Sequence, residues 1–304
     1  MIATVDRATG RRHVAPISDT VTERDFYTSV DETGAKDGRA DHLLSKIEAD
    51  AAPVIKQLVT AGAFLRFPPT IEARMAVCLF LAFQKIRGRQ ARRRTELLGD
   101  VYWHIMIPKD MSEQDARAWL AAHNKEATPE NLATLLSISS EMDDLEFLPD
   151  PNAHLSTMGP VALQTFEELG TRRWYVAEYA EPSLVTCDEP VVLVFPEDAP
   201  RFRGLGLLDA VEVWFPLSPR HLLVLAKDDR YGPERRIAAD PESARDANFR
   251  IAANAYESIH MHPDYDLLAG IELPDPGGLF EVHGLGLDSE RYKKRPDRTK
   301  TQRR

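Results

Sequence analysis

Apolar positions recur with two different periods along the chain, and the period changes near Gly170. Before that point the spacing is helical. Across residues 40–61, Leu43, Leu44, Ile47, Ala51, Val54, Ile55 and Leu58 recur at i, i+3 and i+4, which predicts one amphipathic helix. Pro53 marks a kink or a split in it. Residues 75–83 contain no polar side chain, so a helix through them is apolar all round and has to be wrapped by other elements. That central helix is expected to start at Thr70, loosen at Gly88 and run to Leu98, with a resumption through Leu97, Trp103 and Ile107 up to Pro108. Further helices are expected from Ser112, over 129–142 and over 154–169.

After Gly170 the pattern is β-like. Residues 173–179, 183–187 and 191–195 are rich in β-branched and aromatic side chains, separated by turns at Glu181-Pro182 and Asp188-Glu189-Pro190. Residues 211–215 and 221–226 flank a short Pro-containing loop and read as a hairpin. A last helix is predicted from Pro241 to about His260. At the other end, residues 2–5 form a β-like run before a turn at 8–11, residues 25–28 are β-prone, and 31–39 read as a loop. These segments predict an α+β protein with a mainly helical N-terminal half around a buried central helix, packed on a small antiparallel sheet in the C-terminal half. One domain is expected over 1–270, helical over 40–170 and sheet-containing over 171–262. A Gly/Pro-containing and basic tail, disordered at its end, fills 271–304.

Composition narrows the class. Hydrophobic residues make up 43% and charged residues 28%, the balance of a globular domain with a sizeable core. A formal charge of −10 argues against non-specific coating of nucleic acid, which needs a dominant positive field. The basic tail is still suited to an acidic partner. Two cysteines, Cys78 and Cys187, make neither a disulfide framework nor a metal-ligand spacing, and no signal-peptide core or membrane-length apolar run is present. The expectation is a soluble, cytoplasmic protein.

The chemistry-bearing candidates are few. In Thr186-Cys-Asp-Glu-Pro190, Pro190 restricts Glu189 to extended backbone, and neighbouring side chains on an extended segment point to opposite sides. Only one of Asp188 and Glu189 can face a cleft, and Asp188 is the one selected. Its bland reading is an Asx turn between strands, which residue type alone favours. Gln84, Arg87 and Arg94 fall near one helical face where the apolar run turns cationic, a place to hold an anion bidentately, although charge runs are most often solvated faces. His260-Met-His262 is too short a pattern for a metal site and reads as a helix end. Gly204-Leu-Gly206 and Gly284-Leu-Gly286 lack the strand, helix and acidic residue of a dinucleotide fingerprint.

Several of these stretches also resemble a known family in the order in which they occur. Ala40-Asp-His-Leu-Leu-Ser-Lys-Ile-Glu48 is similar to the acidic helix motif of the bacterial domain-of-unknown-function family 4238. Phe80-Leu-Ala-Phe-Gln84-Lys-Ile-Arg87-Gly88 matches its Gln-x-x-Arg segment, and Leu184-Val-Thr-Cys-Asp188-Glu-Pro190 its Thr-Ser-Asp-Asn-Pro element. Phe215-Pro-Leu-Ser-Pro219 and the Asn254/Ala255 helix follow in the family's order. Cys187 and Glu189 stand where the family usually has Ser and Asn. His13-Val-Ala-Pro16 imitates the family's opening His-x-x-Pro, but its spacing to Phe26-Tyr27 suits an alignment without that segment, and the resemblance then implies a start inside the domain as an expectation. The resemblance implies that Glu48, Arg87 and Asp188 meet in space. It implies no activity.

The working expectation is a hydrolase acting on an anionic substrate, a phosphodiester for instance. Asp188 and Glu48 would serve as acid/base or metal-binding carboxylates, Arg87 and Gln84 as anion binders, and a divalent metal is compatible with such a set. The alternative is a non-catalytic protein that binds a ligand or partner through the same cleft or through the basic tail.

Overall fold

A computed structural model describes residues 1–20, 29–30, 36–60, 67–145, 151–199 and 206–274. The β-prone stretch at 25–28, the Gly204 turn and nearly all of the basic tail lie outside the described residues. The N-terminal elements are β1 (Ile2–Asp6), β2 (Arg12–Ala15), the one-turn α1 (Ile17–Thr20), β3 (Ser29–Val30) and β4 (Lys36–Asp37). A helical block follows: α2 (Arg39–Val59), α3 (Ile71–Ile86), α4 (Arg89–Met106), α5 (Glu113–Ala122), α6 (Pro129–Ser140) and α7 (Pro151–Gly170). The remainder is β5 (Arg173–Glu178), β6 (Thr186–Cys187), β7 (Val192–Val194), β8 (Glu212–Ser218), β9 (His221–Ala226), β10 (Arg235–Ala238), α8 (Pro241–Asn254) and β11 (Ser258–Met261).

The fold class is α+β, as the two periods predict. The strands do not form one small antiparallel sheet, however. Five of them line up in the order β10-β5-β9-β8-β7, antiparallel except where β10 runs parallel to β5, and a separate four-stranded sheet runs β2-β1-β11-β6. The predicted last helix stops at Asn254, and the residues that were to complete it form β11, paired with β1 and β6. His260 is therefore a strand residue, buried between Thr4 and Ser258, whose hydroxyls flank its two ring nitrogens. Its place in the sheet overrides the helical periodicity, because strand pairing satisfies the backbone of residues 258–261.

The five-stranded sheet separates two cores, and the period of two sorts its side chains between them. Trp174 and Val176 on β5, Val213 and Phe215 on β8, and Leu223 and Leu225 on β9 face the helices. There they meet Leu44, Ile47 and Leu58 of α2, the buried face of α3, and Met158, Ala162 and Leu169 of α7. Tyr175, Leu222 and Val224 face the other way, onto Ala247, Ile251 and Ala252 of α8 and onto Ile259 and Met261 of the second sheet. A third, smaller cluster joins the end of α4 to α5 and α6 through Leu120, Leu132 and Leu135.

α3 is the core helix. Val77, Leu81 and Ala82 are fully buried, and Phe80 packs edge-on to Phe215 with ring centroids 5.7 Å apart. Truncating a side chain such as Leu81 would cost about 2 to 5 kcal/mol, from the apolar area it hides and the cavity it would leave. Thr70 caps the helix by accepting the Ala73 N–H. Pro53 sits inside α2 without dividing it. Among the described residues no helix is long and apolar enough to cross a membrane.

Candidate functional site

The predicted central helix breaks at Arg87, and that corner organises the polar groups. α3 ends at Ile86 with Arg87 as its C-cap, Gly88 turns into an extended conformation, and α4 starts at Arg89. Gly88 is there because of close approach. A Cβ at this position would lie 2.1 Å from the Oε1 of Glu189 and 2.5 Å from its Oε2. Glu189 thus sets its carboxyl against the backbone at the start of α4, where Oε1 accepts the Gln90 N–H at 3.0 Å.

Glu189 is held from behind as well. Pro190 follows it, and the Asn254 amide at the end of α8 donates to its backbone carbonyl. Lys85, one turn before the corner, donates to the Val191 carbonyl at 3.2 Å. Only 3% of Glu189 is exposed, and that burial pushes its carboxyl up to about 7. The Gln90 N–H and the positive charges of Lys85 and Arg94 pull the other way, while Asp188 adds to the push. Burial also lowers Lys85 from the ordinary lysine value, against the attraction of Glu189. The Cys187 thiol, buried at the end of β6, is raised well above the usual thiol range and makes a poor nucleophile.

Asp188 faces the opposite way, as adjacent residues on extended backbone must. Its Oδ1 accepts the Tyr256 N–H at 2.9 Å, and its Oδ2 accepts those of Glu257 at 2.6 Å and Ser258 at 3.3 Å. A side chain far away in sequence therefore closes the link between α8 and β11; this is a long-range clamp, not a local Asx turn. Burial raises its carboxyl above the usual value, and the three N–H donors oppose that shift.

Arg87 gathers the other predicted residues. One arm of its guanidinium bonds Glu48 Oε1 of α2 at 2.5 Å, and the other bonds Gln84 on its own helix. The arginine side chain is 17% exposed and that of Glu48 46%, so the pair opens toward solvent on the α2 side. Glu48, Gln84 and Arg87 are directly linked, whereas the Asp188 carboxylate bonds backbone N–H groups of residues 256–258. The two groups are joined by the corner itself. Arg89, the next residue but one, forms an ion pair with Glu257, whose N–H bonds Asp188.

Sequence reasoning selected Asp188 over Glu189 and did not select Gly88, Lys85 or Asn254. A signal for Gly88 existed, since a glycine inside a helical pattern often marks a close approach. For Glu189 the Pro190 restriction was visible, but alternation does not say which neighbour faces which layer. Among the described residues no three His, Cys, Asp or Glu side chains cluster as a metal-binding set.

Fold and site together define an α+β domain with a carboxylate–arginine corner between a helical layer and a sheet. The chain belongs to the family described as "Protein of unknown function (DUF4238)", whose model matches residues 1–265. Searches among curated proteins and among solved structures gave no match.

Proposed function

We propose that the chain is a hydrolase acting on an anionic substrate, with a phosphodiester as the chemistry its cations suit, and that the reaction takes place at the α3–α4 corner. The observation that carries this reading is Glu189: a carboxyl nearly removed from water, set against a glycine at a helix start, and raised to about 7 beside cationic side chains. A carboxyl that keeps its proton near neutral pH is suited to give it to a leaving oxygen. Arg87 supplies a planar fork, already oriented by Glu48 and Gln84, that a phosphoryl group can share. Glu48, the more exposed partner, takes the proton of the attacking water. The new P–O bond forms as the bond to the leaving oxygen breaks, and that oxygen receives the Glu189 proton. Asp188 acts as a positioning residue, because both of its oxygens are engaged by backbone N–H groups.

One observation favours the second reading, a binding protein without turnover. Glu189 is 3% exposed and both arms of Arg87 are engaged, so an anion has to exchange with existing partners to enter. The experiment is a hydrolysis screen with bis(p-nitrophenyl) phosphate, p-nitrophenyl phosphate and p-nitrophenyl acetate, with and without divalent cations, on the native chain, Glu189→Gln and Arg87→Met. The proposal expects a rate that falls as pH rises above about 7, and a loss of roughly 10²- to 10⁴-fold in Glu189→Gln. Turnover that survives Glu189→Gln overturns it. Absence of turnover, together with phosphate binding that Arg87→Met abolishes, establishes the binding reading instead.

A further inference from the structure

A second cleft lies on the other face of the five-stranded sheet, beside the start of α8, and takes no part in the corner described above. It encloses about 380 Å³. Its polar and aromatic walls come from Tyr175 of β5, Tyr179 just beyond it, Trp214 of β8, Tyr231 of the loop before β10, and Asp240 and Asp246 at and within the first turns of α8. Aliphatic side chains of the sheet make the floor. Among the described residues that line it there is no lysine, arginine or histidine.

The aromatic walls are fixed in place. The buried carboxylate of Glu212 accepts both the Trp214 indole N–H at 2.6 Å and the Tyr231 hydroxyl at 2.7 Å. The Tyr175 hydroxyl donates to the Gly232 carbonyl at 2.6 Å, and its ring meets that of Tyr231 edge-on with centroids 5.1 Å apart. Three aromatic rings held this way need little ordering to receive a ligand. The positive end of α8 does not turn the cleft toward anions, since Asp240 caps it by accepting the Ser243 N–H at 2.7 Å and Pro241 has no N–H to offer.

The rim already shows what these walls accept. The Arg250 guanidinium lies 5.6 Å from the Trp214 ring centroid and bonds the Asp246 carboxylate at 2.9 Å. One aromatic wall and one carboxylate of the cleft are thus used together on an organic cation belonging to the chain itself. We propose that the cleft is a binding site for a small organic cation of the alkylammonium class, which sits against the aromatic walls with its charge toward Asp240 and Asp246.

The test is isothermal titration of the full chain with choline, with its neutral isostere 3,3-dimethylbutan-1-ol and with acetate. Choline is expected to bind saturably and at least about tenfold more tightly than the neutral alcohol, the order of a desolvated cation–π contribution. Acetate is expected not to bind. Asp246→Asn, an exposed substitution that leaves the core untouched, should weaken choline severalfold. Arg250→Gln should strengthen it severalfold, because that guanidinium competes for both Trp214 and Asp246. Circular dichroism confirms the fold of each variant. Equal binding of the alcohol, no saturation at tens of millimolar choline, or an affinity that neither variant changes would each overturn the proposal.

Discussion

Glu189→Gln keeps the shape of the side chain, and its amide oxygen can still accept the Gln90 N–H, but it removes the titration. The usual carboxyl value is 4.5 and that of the folded protein about 7. Below 4.5 the group is protonated in both the folded and the unfolded chain and has no influence on stability. Between the two values the unfolded chain has lost the proton and the folded chain keeps it, so stability falls as pH rises and levels off above about 7. At about 1.4 kcal/mol per pH unit, the whole drop is about 3 kcal/mol. Glu189 is 3% exposed, so solvent screening takes little from that figure. Glutamine mimics the protonated form at every pH. The variant should match the native chain near pH 4 and exceed it by up to about 3 kcal/mol at pH 8 in urea unfolding, with the difference opening between 4.5 and about 7. Parallel stability profiles for the two proteins, or a variant that is less stable at pH 8, would refute the argument that burial governs this carboxyl.

Three further substitutions probe the same corner. Gly88→Ala places a methyl group 2.1 Å from the Glu189 carboxyl and should cost about 1 to 3 kcal/mol by urea unfolding; Glu189→Ala in the same chain should relieve most of that cost, and additive effects would show that the contact does not constrain the corner. Asp188→Asn puts an NH₂ group where one carboxylate oxygen accepts N–H bonds, and should lower stability by about 2 to 4 kcal/mol; an unchanged denaturation midpoint would show that the 256–258 link holds without it. Arg87→Met should cost no more than about 1 kcal/mol and couple to Glu48→Gln by about 0.5 kcal/mol, since 46% exposure of Glu48 lets water screen the pair; a coupling above about 2 kcal/mol in the double-mutant cycle would mean a desolvated ion pair.

Much of the fold was legible because the two periods were long and clean. The seven apolar positions of α2 and the unbroken apolar run of α3 each imply a helix whatever the rest of the chain does, and both helices occur where expected. The hairpin of β8 and β9 was legible for the same reason. What escaped depends on partners distant in sequence. β10 is the four-residue Arg-Arg-Ile-Ala, with no apolar alternation, and it becomes a strand by pairing with β5. β11 was absorbed into a helix because Ile251, Ala255 and Ile259 continue the spacing of α8, while the pairing partners that decide otherwise sit at residues 3–6 and 186–187.

The site shows the same division between local and long-range information. The break at Gly88, the cationic change at Gln84 and the opposite orientations of Asp188 and Glu189 are local properties, and all three could be read from neighbouring residues. Which carboxyl meets the helices is not local, because reversing both side chains leaves the alternation intact. The choice is made by what each side can offer. Toward the α8–β11 link stand three N–H groups, from Tyr256, Glu257 and Ser258, that need an acceptor. Toward α4 stand the Gln90 N–H and a glycine with room for a longer side chain to lie flat against the backbone. The shorter Asp188 suits the first surroundings and the longer Glu189 the second. The reacting carboxyl in the proposed mechanism is accordingly the one with fewer donors, since every N–H bond to a carboxylate holds it ionised and makes it a poorer source of a proton.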